Sequence, residues 1–145
     1  MKSFKREYIV ILMFVLLVSS SDALGRKRVT MRISNEVETT NPLNLHCKSG
    51  DNDFGGKVLK YKQYFEFSFK PNIFGKTVFR CDFVLNDYVY MNKLESLNQT
   101  NIDVYGGRSD GLKCRACFWA FREKGLCLGP NSTGPFYDCR VIWYY

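Results

Sequence analysis

The chain has a single histidine, His46, and that scarcity argues against a good deal. Ribonuclease-type phosphoryl transfer uses two histidines as base and acid, because proton transfer near neutral pH favours imidazole. A zinc site built on paired histidines is excluded too. The one C-x-x-C, Cys114 to Cys117, has no second to complete a tetrahedral set, and no βαβ pattern surrounds it as a thioredoxin-like redox pair would require. There is no G-x-S-x-G elbow for a nucleophilic serine. Asp51 and Asp53 resemble the start of a calcium loop, but no glutamate stands at the twelfth position, so they read as turn formers. Also missing are a long helical period, internal repeats, low-complexity tracts, and any apolar run beyond the N-terminus long enough to span a membrane. The expectation is a protein that is not an enzyme and needs neither metal nor cofactor.

What is present begins at the N-terminus. Lys2, Lys5 and Arg6 precede an unbroken apolar run from Tyr8 to Val18, followed by small residues from Ser19 to Ala23. A basic start, a short apolar core and a small-residue site describe a secretory signal peptide. The run is shorter than the roughly 20 residues of a spanning helix. Residues 1–23 are therefore expected to be removed, leaving residues 24–145 as one secreted, extracellular domain without stable membrane insertion. The formal net charge of +7 suits acidic surfaces such as cell-wall polymers, anionic lipids or acidic receptor loops. Nucleic acid is not expected as a partner, because the aromatic residues have core spacing and the compartment is wrong.

The rest of the chain reads as short strands broken by turns. Leu43, Leu45 and Cys47 alternate with polar neighbours, as in a strand with one buried face that then opens into a Ser/Gly/Asp/Asn loop. Val29–Ser34 alternates likewise. Phe65, Phe67 and Phe69 share one face, as do Phe79, Cys81 and Phe83, and the Pro71–Gly75 turn between them predicts a hairpin. Val89–Leu97 fits a strand or a short helix. Asn101–Tyr105 is a short strand stopped by Gly106-Gly107, and Cys117–Arg122 is another, turned at Glu123–Gly125. Turn signals at this spacing predict an all-β fold, a small antiparallel β-sandwich stapled by disulfides.

Six cysteines behind a signal peptide read as three disulfides: Cys47, Cys81, Cys114, Cys117, Cys127 and Cys139. Residues three apart in one extended strand face opposite ways, so Cys114 and Cys117 are expected to take different partners. Cys127 with Cys139 would staple a hairpin worth about 3 kcal/mol. Parity then favours Cys47–Cys117 and Cys81–Cys114. Two glycosylation sequons, at Asn98 and Asn131, are expected to mark surface loops.

Taken in order, Leu45–Ser49, Asp51–Gly55, Phe67–Gly75, Thr77–Cys81, Asp103–Tyr105, Cys114–Trp119 and Lys124-Gly125 resemble the plant self-incompatibility S-protein homologue family, first known from poppy pistils. The resemblance spans about residues 28 to 128. It implies a small secreted β-sandwich acting as an extracellular signal; in poppy the stigma secretes the protein and a pollen membrane protein is its receptor. The family's core cysteines correspond to Cys47, Cys81, Cys114 and Cys117. Cys127, Cys139 and the aromatic tail Tyr137–Tyr145 depart from the commoner, shorter pattern.

The expected function is thus a non-enzymatic, monomeric ligand for a cell-surface membrane receptor protein. Its recognition elements would be loops at Gly50–Lys57, Lys70–Lys76 and Gly106–Lys113, with Asp51, Asn52, Asp53, Phe54, Lys57, Asn72, Arg108 and Asp110 as candidate contacts. The alternatives are a basic defence protein acting on microbial membranes and, more distantly, a secreted hydrolase such as a ribonuclease.

Overall fold

A computed structural model describes residues 2–25, 27–72, 74–107 and 114–143, the side chains at 2–4, 18–25, 88 and 90 aside. Helix α1 (Lys2–Gly25) is followed by nine strands among the described residues: β1 (Val29–Asn35), β2 (Leu43–Lys48), β3 (Asp53–Leu59), β4 (Tyr64–Phe69), β5 (Phe79–Tyr90), β6 (Lys93–Tyr105), β7 (Ala116–Arg122), β8 (Gly125–Gly129) and β9 (Asp138–Ile142). They form a five-stranded sheet in the order β4-β1-β7-β8-β9 and a four-stranded sheet in the order β3-β2-β5-β6. The all-β architecture read from the alternation is the observed one.

Alternation places the core where the sequence puts it. Leu43, Leu45 and Cys47 turn inward while Asn44, His46 and Lys48 turn out. Met31 and Ile33 from one sheet meet Phe79, Cys81 and Phe83 from the other in one buried cluster. Trp119 is fully buried in β7, and its indole N–H donates to the Val104 carbonyl of the opposite sheet at 3.0 Å. That bond satisfies the one polar atom of the largest core side chain. The apolar side chains of α1, Tyr8 to Leu17, stay exposed, and none belongs to the core cluster. Among the described residues, no helix is long and apolar enough to cross a membrane.

Several expectations need correction. The sheets are not wholly antiparallel, because β1 runs parallel to β7 from Thr30↔Ala116 to Asn35↔Phe121. The strands Tyr64–Phe69 and Phe79–Phe83 keep their inward phenylalanines but are not a hairpin. β4 pairs with β1 and β5 with β2, so the Pro71–Gly75 segment carries the chain from one sheet to the other. Both inward faces are strongly apolar, so alternation alone could not tell neighbours in one sheet from neighbours across the core. For Val89–Leu97 the strand alternative holds, with a two-residue turn at Met91 and Asn92. β6 runs unbroken from Lys93, which puts Asn98 on an exposed strand rather than in a loop.

The disulfides are Cys47–Cys81, Cys114–Cys117 and Cys127–Cys139. The third is the pairing read from the sequence; the first two are not. Cys47 and Cys81 are direct cross-strand neighbours on β2 and β5, and both are fully buried. That neighbourhood depends on a non-local strand pairing. Cys114 lies before β7, with a bend at Arg115, so the parity rule for a single extended strand does not apply there. Their Cα atoms are 5.5 Å apart, within bridging reach.

Candidate recognition site

The register of the two sheets brings the candidate loops to one end of the sandwich. In the five-stranded sheet Val29 lies opposite Phe69 and Thr30 opposite Ala116. In the four-stranded sheet Lys48 lies opposite Arg80 and Phe79 opposite Tyr105. Ring contacts join the two sheets at this end: Phe69 is 4.3 Å from Phe79 and 4.9 Å from Tyr105, centroid to centroid. The β2–β3 turn, the β4–β5 crossover and the start of the β6–β7 connection therefore emerge together.

The first element is shorter than the sequence suggests. The Ser49 and Asn52 backbones close a tight turn, with Ser49 N–H donating to the Asn52 carbonyl at 2.7 Å and Asn52 N–H to Ser49 Oγ at 3.2 Å. β3 begins immediately after it, so Asp53, Phe54 and Lys57 are strand residues. Gly55 takes φ +68°, a left-handed conformation that glycine adopts without a Cβ penalty. Asp51, Asn52 and Asp53 are exposed. Phe54 is not a free contact: its ring packs 4.5 Å from Phe67 and 5.9 Å from Phe65, sealing this end of the core. The Lys57 ammonium lies over the Phe65 ring at 5.3 Å.

His46 projects from the outer face of β2, where its Nε2–H donates to Asp53 Oδ1 at 2.5 Å. The same oxygen accepts the Gly55 N–H at 2.9 Å. These bonds hold the Asp53 carboxyl below its ordinary pKa, the histidine bond having the larger effect. The pairing of β2 with β3 shifts register between His46 and Lys48, and the His46–Asp53 bond spans that shift. It ties two strands together across an irregularity. A histidine–carboxylate pair can act as an acid–base dyad, but this one lies on an exposed sheet face and lines no groove with Arg122 or Glu36. Among the described residues no group of three or more His, Cys, Asp or Glu is placed to hold a metal ion.

In the second element Asn72 builds the turn. Its Oδ1 accepts the Phe74 N–H, its own N–H donates to Thr77 Oγ1, both at 2.7 Å, and its carbonyl accepts the Gly75 N–H at 3.0 Å. The Asn72 Oδ1, backbone N–H and carbonyl are thus engaged locally. Phe74, by contrast, points outward and is 76% exposed. The sequence carried a signal for it, since an aromatic residue between Pro71 and Gly75 sits in a turn that cannot bury it.

The third element is anchored at both ends. Gly106 packs so closely on the crossover that an added Cβ would lie 2.3 Å from the Thr77 carbonyl oxygen. Arg80 Nε donates to Asp103 Oδ1 at 2.8 Å just before it. On the far side Cys114 is tied to Cys117. The candidate contacts Arg108 and Asp110 lie outside the described residues.

Of the sequons, Asn131 is in the β8–β9 connection, where its Oδ1 accepts both the Thr133 N–H (3.0 Å) and the Thr133 hydroxyl (2.8 Å). Both asparagines are exposed.

The profile of the family described as "Plant self-incompatibility protein S1" matches residues 30–143. The match runs past Leu128 to Trp143, so β9 and the Cys127–Cys139 bridge fall inside it. Three Arabidopsis thaliana proteins illustrate the likeness. S-protein homolog 3 is 31% identical over 113 residues, covering 75% of this chain and 69% of the relative. S-protein homolog 21 is 30% identical over 137 residues, covering 92% and 96%. S-protein homolog 29 is 25% identical over 141 residues, covering 96% and 97%. No solved structure matches the chain. A disulfide-braced two-sheet fold, the ordered motifs and a match across nearly all the strands agree: the chain belongs to the plant self-incompatibility S1 family of S-protein homologues.

Proposed function

We propose that the chain is a secreted, non-enzymatic ligand that a cell-surface receptor protein recognises through the loop end of the sandwich. The observation that carries this reading is the convergence of three connections there, each fixed at its base. The Cys47–Cys81 bridge stands behind the Ser49–Asn52 turn, Asn72 organises the crossover, and Gly106 and Cys114 brace the third connection. Side chains on tips fixed in this way can change without disturbing the core, which suits discrimination among partners. Phe74 joins Asp51 and Asn52 as a leading contact, since a rigid exposed aromatic supplies binding area at little entropic cost. Family membership supports an extracellular signalling role, and the basic, apolar and small-residue segments of residues 1–23 support secretion. All six cysteines are bridged, which leaves no thiol nucleophile.

Labelled protein added to intact plant cells tests the reading. Binding should saturate, disappear when surface proteins are digested, and weaken more than tenfold in Phe74→Ala and Asp51→Lys at unchanged thermal stability. Binding that never saturates and falls with any loss of positive charge, as in reversal of Lys48, Lys57 or Lys60, would instead mark a membrane-active protein. RNA hydrolysis abolished by His46→Ala would make the chain an enzyme.

A further inference from the structure

Opposite the loop end, an open groove of about 700 Å³ crosses the outer face of the five-stranded sheet. One wall is Arg32, Tyr64 and the β3–β4 turn with Tyr61 and Lys62; the other is the β8–β9 connection ending in Tyr137. The geometry points to a binding site for a neutral oligosaccharide, independent of the receptor reading.

The first reason is the aromatic surface. Tyr64 is 52% exposed and Tyr137 is 82% exposed, although the fold has a large aromatic core in which to bury rings. Tyr64 is also braced: the Arg32 guanidinium stacks on its ring at 3.9 Å while its Nε donates to Glu66 at 2.6 Å. Lys62 does the same for Tyr61, its ammonium 5.2 Å from the ring and bonded to Glu36 at 2.5 Å. A ring held by a cation on one face presents the other, already oriented, and ordering it on binding costs little. Flat apolar rings matching the C–H faces of pyranose sugars, surrounded by hydroxyl partners, are the elements of a saccharide site.

The second reason is charge. The molecule carries +7, yet two of the three cations lining this groove are paired with carboxylates, Arg32 with Glu66 and Lys62 with Glu36, while Arg122 donates to the Phe136 carbonyl, and Glu38, Glu123 and Lys124 line its continuation. Such pairs attract neither polyanions nor polycations strongly, but their remaining N–H groups and lone pairs suit neutral hydroxyls. An acidic wall polymer fits the overall charge and does not fit this groove.

The third reason is rigidity of the second wall. Arg122 Nη1 donates to the Phe136 carbonyl at 2.8 Å, and the Phe136 ring fills the space over Gly129, where a Cβ would approach to 2.5 Å. The connection is fastened to the sheet next to its exposed Tyr137. Ser132 and Thr133 of the Asn131 sequon also line the groove, so the neutral sugar has two sources: a free oligosaccharide, or a glycan carried on Asn131 itself.

Calorimetric titration of the full secreted protein with cellohexaose, xylohexaose and mannohexaose, and with an oligogalacturonide of equal length, tests the assignment. At least one neutral hexamer should bind, with little dependence on salt. Tyr64→Ala and Tyr137→Ala should each weaken it roughly tenfold, and Arg32→Lys, which keeps the charge but loses the planar stack, should weaken it too. Tyr137 is so exposed that its variant keeps the fold, which circular dichroism verifies. Equal binding by protein glycosylated at Asn131 and by Asn131→Gln would assign the groove to an external saccharide. Binding by Asn131→Gln alone would assign it to the chain's own glycan. Absence of binding by every neutral hexamer to Asn131→Gln, tighter salt-sensitive binding of the oligogalacturonide, or affinity unchanged in Tyr64→Ala and Tyr137→Ala overturns the proposal.

Discussion

At the loop end, two bridges, Cys47–Cys81 and Cys114–Cys117, lie directly behind the connections and the Phe69, Phe79 and Tyr105 rings close the core, whereas the groove end adds directed polar bonds to its one bridge, Cys127–Cys139. There the buried Asn35 side chain donates to the Leu59 carbonyl at 3.0 Å and accepts the Val37 N–H at 3.1 Å, and the Trp143 indole donates to the Arg122 carbonyl at 2.9 Å. One end fixes its turns at their bases and leaves tips such as Phe74 exposed; the other ties its turns to the sheet and exposes tyrosines along the groove. Covalent anchoring tolerates sequence change at the tips, because the bridge holds whatever they carry. Hydrogen-bonded anchoring fixes particular side chains, as a preformed site requires.

The largest test of this contrast removes the anchors. Replacing Cys47 and Cys81 by alanine frees a 34-residue separation and should cost about 4 kcal/mol in denaturant unfolding. Replacing Cys127 and Cys139, with a separation of 12, should cost about 3 kcal/mol. Hydrogen exchange should show the β4–β5 crossover losing protection in the first variant and the β8–β9 connection in the second. A reversed pattern would mean that the loop end is not held covalently. At the groove end Asn35→Ala strands the Leu59 carbonyl and the Val37 N–H in the interior, at about 2–3 kcal/mol by the same measurement. Binding of the labelled protein to plant cells, if it runs through the loop end as proposed, should be unchanged in that variant.

A single-methyl change probes how tightly the third connection is seated. Gly106→Ala forces a Cβ to 2.3 Å from the Thr77 carbonyl and requires φ near +66° from a residue that disfavours it, so about 2 kcal/mol should be lost. Gly55→Ala, at φ +68° with nothing within 4 Å, carries only the conformational cost of about 1 kcal/mol. Equal thermal shifts would show that the packing of Gly106 on the crossover does not contribute.

The strand content and the inward faces could be read from alternation, because Leu43/Leu45/Cys47 and Phe79/Cys81/Phe83 had to turn the same way. Which strands are neighbours could not, since β2–β5 and β1–β7 are pairings between distant segments that no local pattern encodes. The disulfide errors followed from that, as Cys47 and Cys81 become partners only once β2 lies beside β5. Asp53 and Lys57 read as loop because Gly55-Gly56 is a turn signal, yet those glycines lie within an edge strand. Asn35 gave no signal at all. A buried asparagine at a strand end looks like the first residue of a polar loop until its partners, Leu59 and Val37, are in place.

The smallest effect separates the two ends by pH. The Asp53 carboxyl titrates below its ordinary value in the folded chain, through the His46 and Gly55 bonds. Its contribution is therefore complete above the unfolded value of about 4 and is lost as pH falls through the lowered folded value. Lys62 shifts the other way, held above its ordinary value chiefly by its hydrogen bond to Glu36. That contribution is complete below about pH 10 and is lost as pH rises through the raised folded value. Both groups are exposed, so solvent screens them and the overall melting temperature should hardly move. Amide chemical shifts resolve what stability does not. As pH falls through the lowered value, the Gly55 amide, which is bonded to the Asp53 carboxyl, should shift, and as pH rises through the raised value the Lys62 amide should shift. His46→Gln should bring the Asp53 midpoint up toward the ordinary carboxylate value without altering the Lys62 titration. Transitions that move together at the two ends would show that the loop end and the groove end are one electrostatic unit.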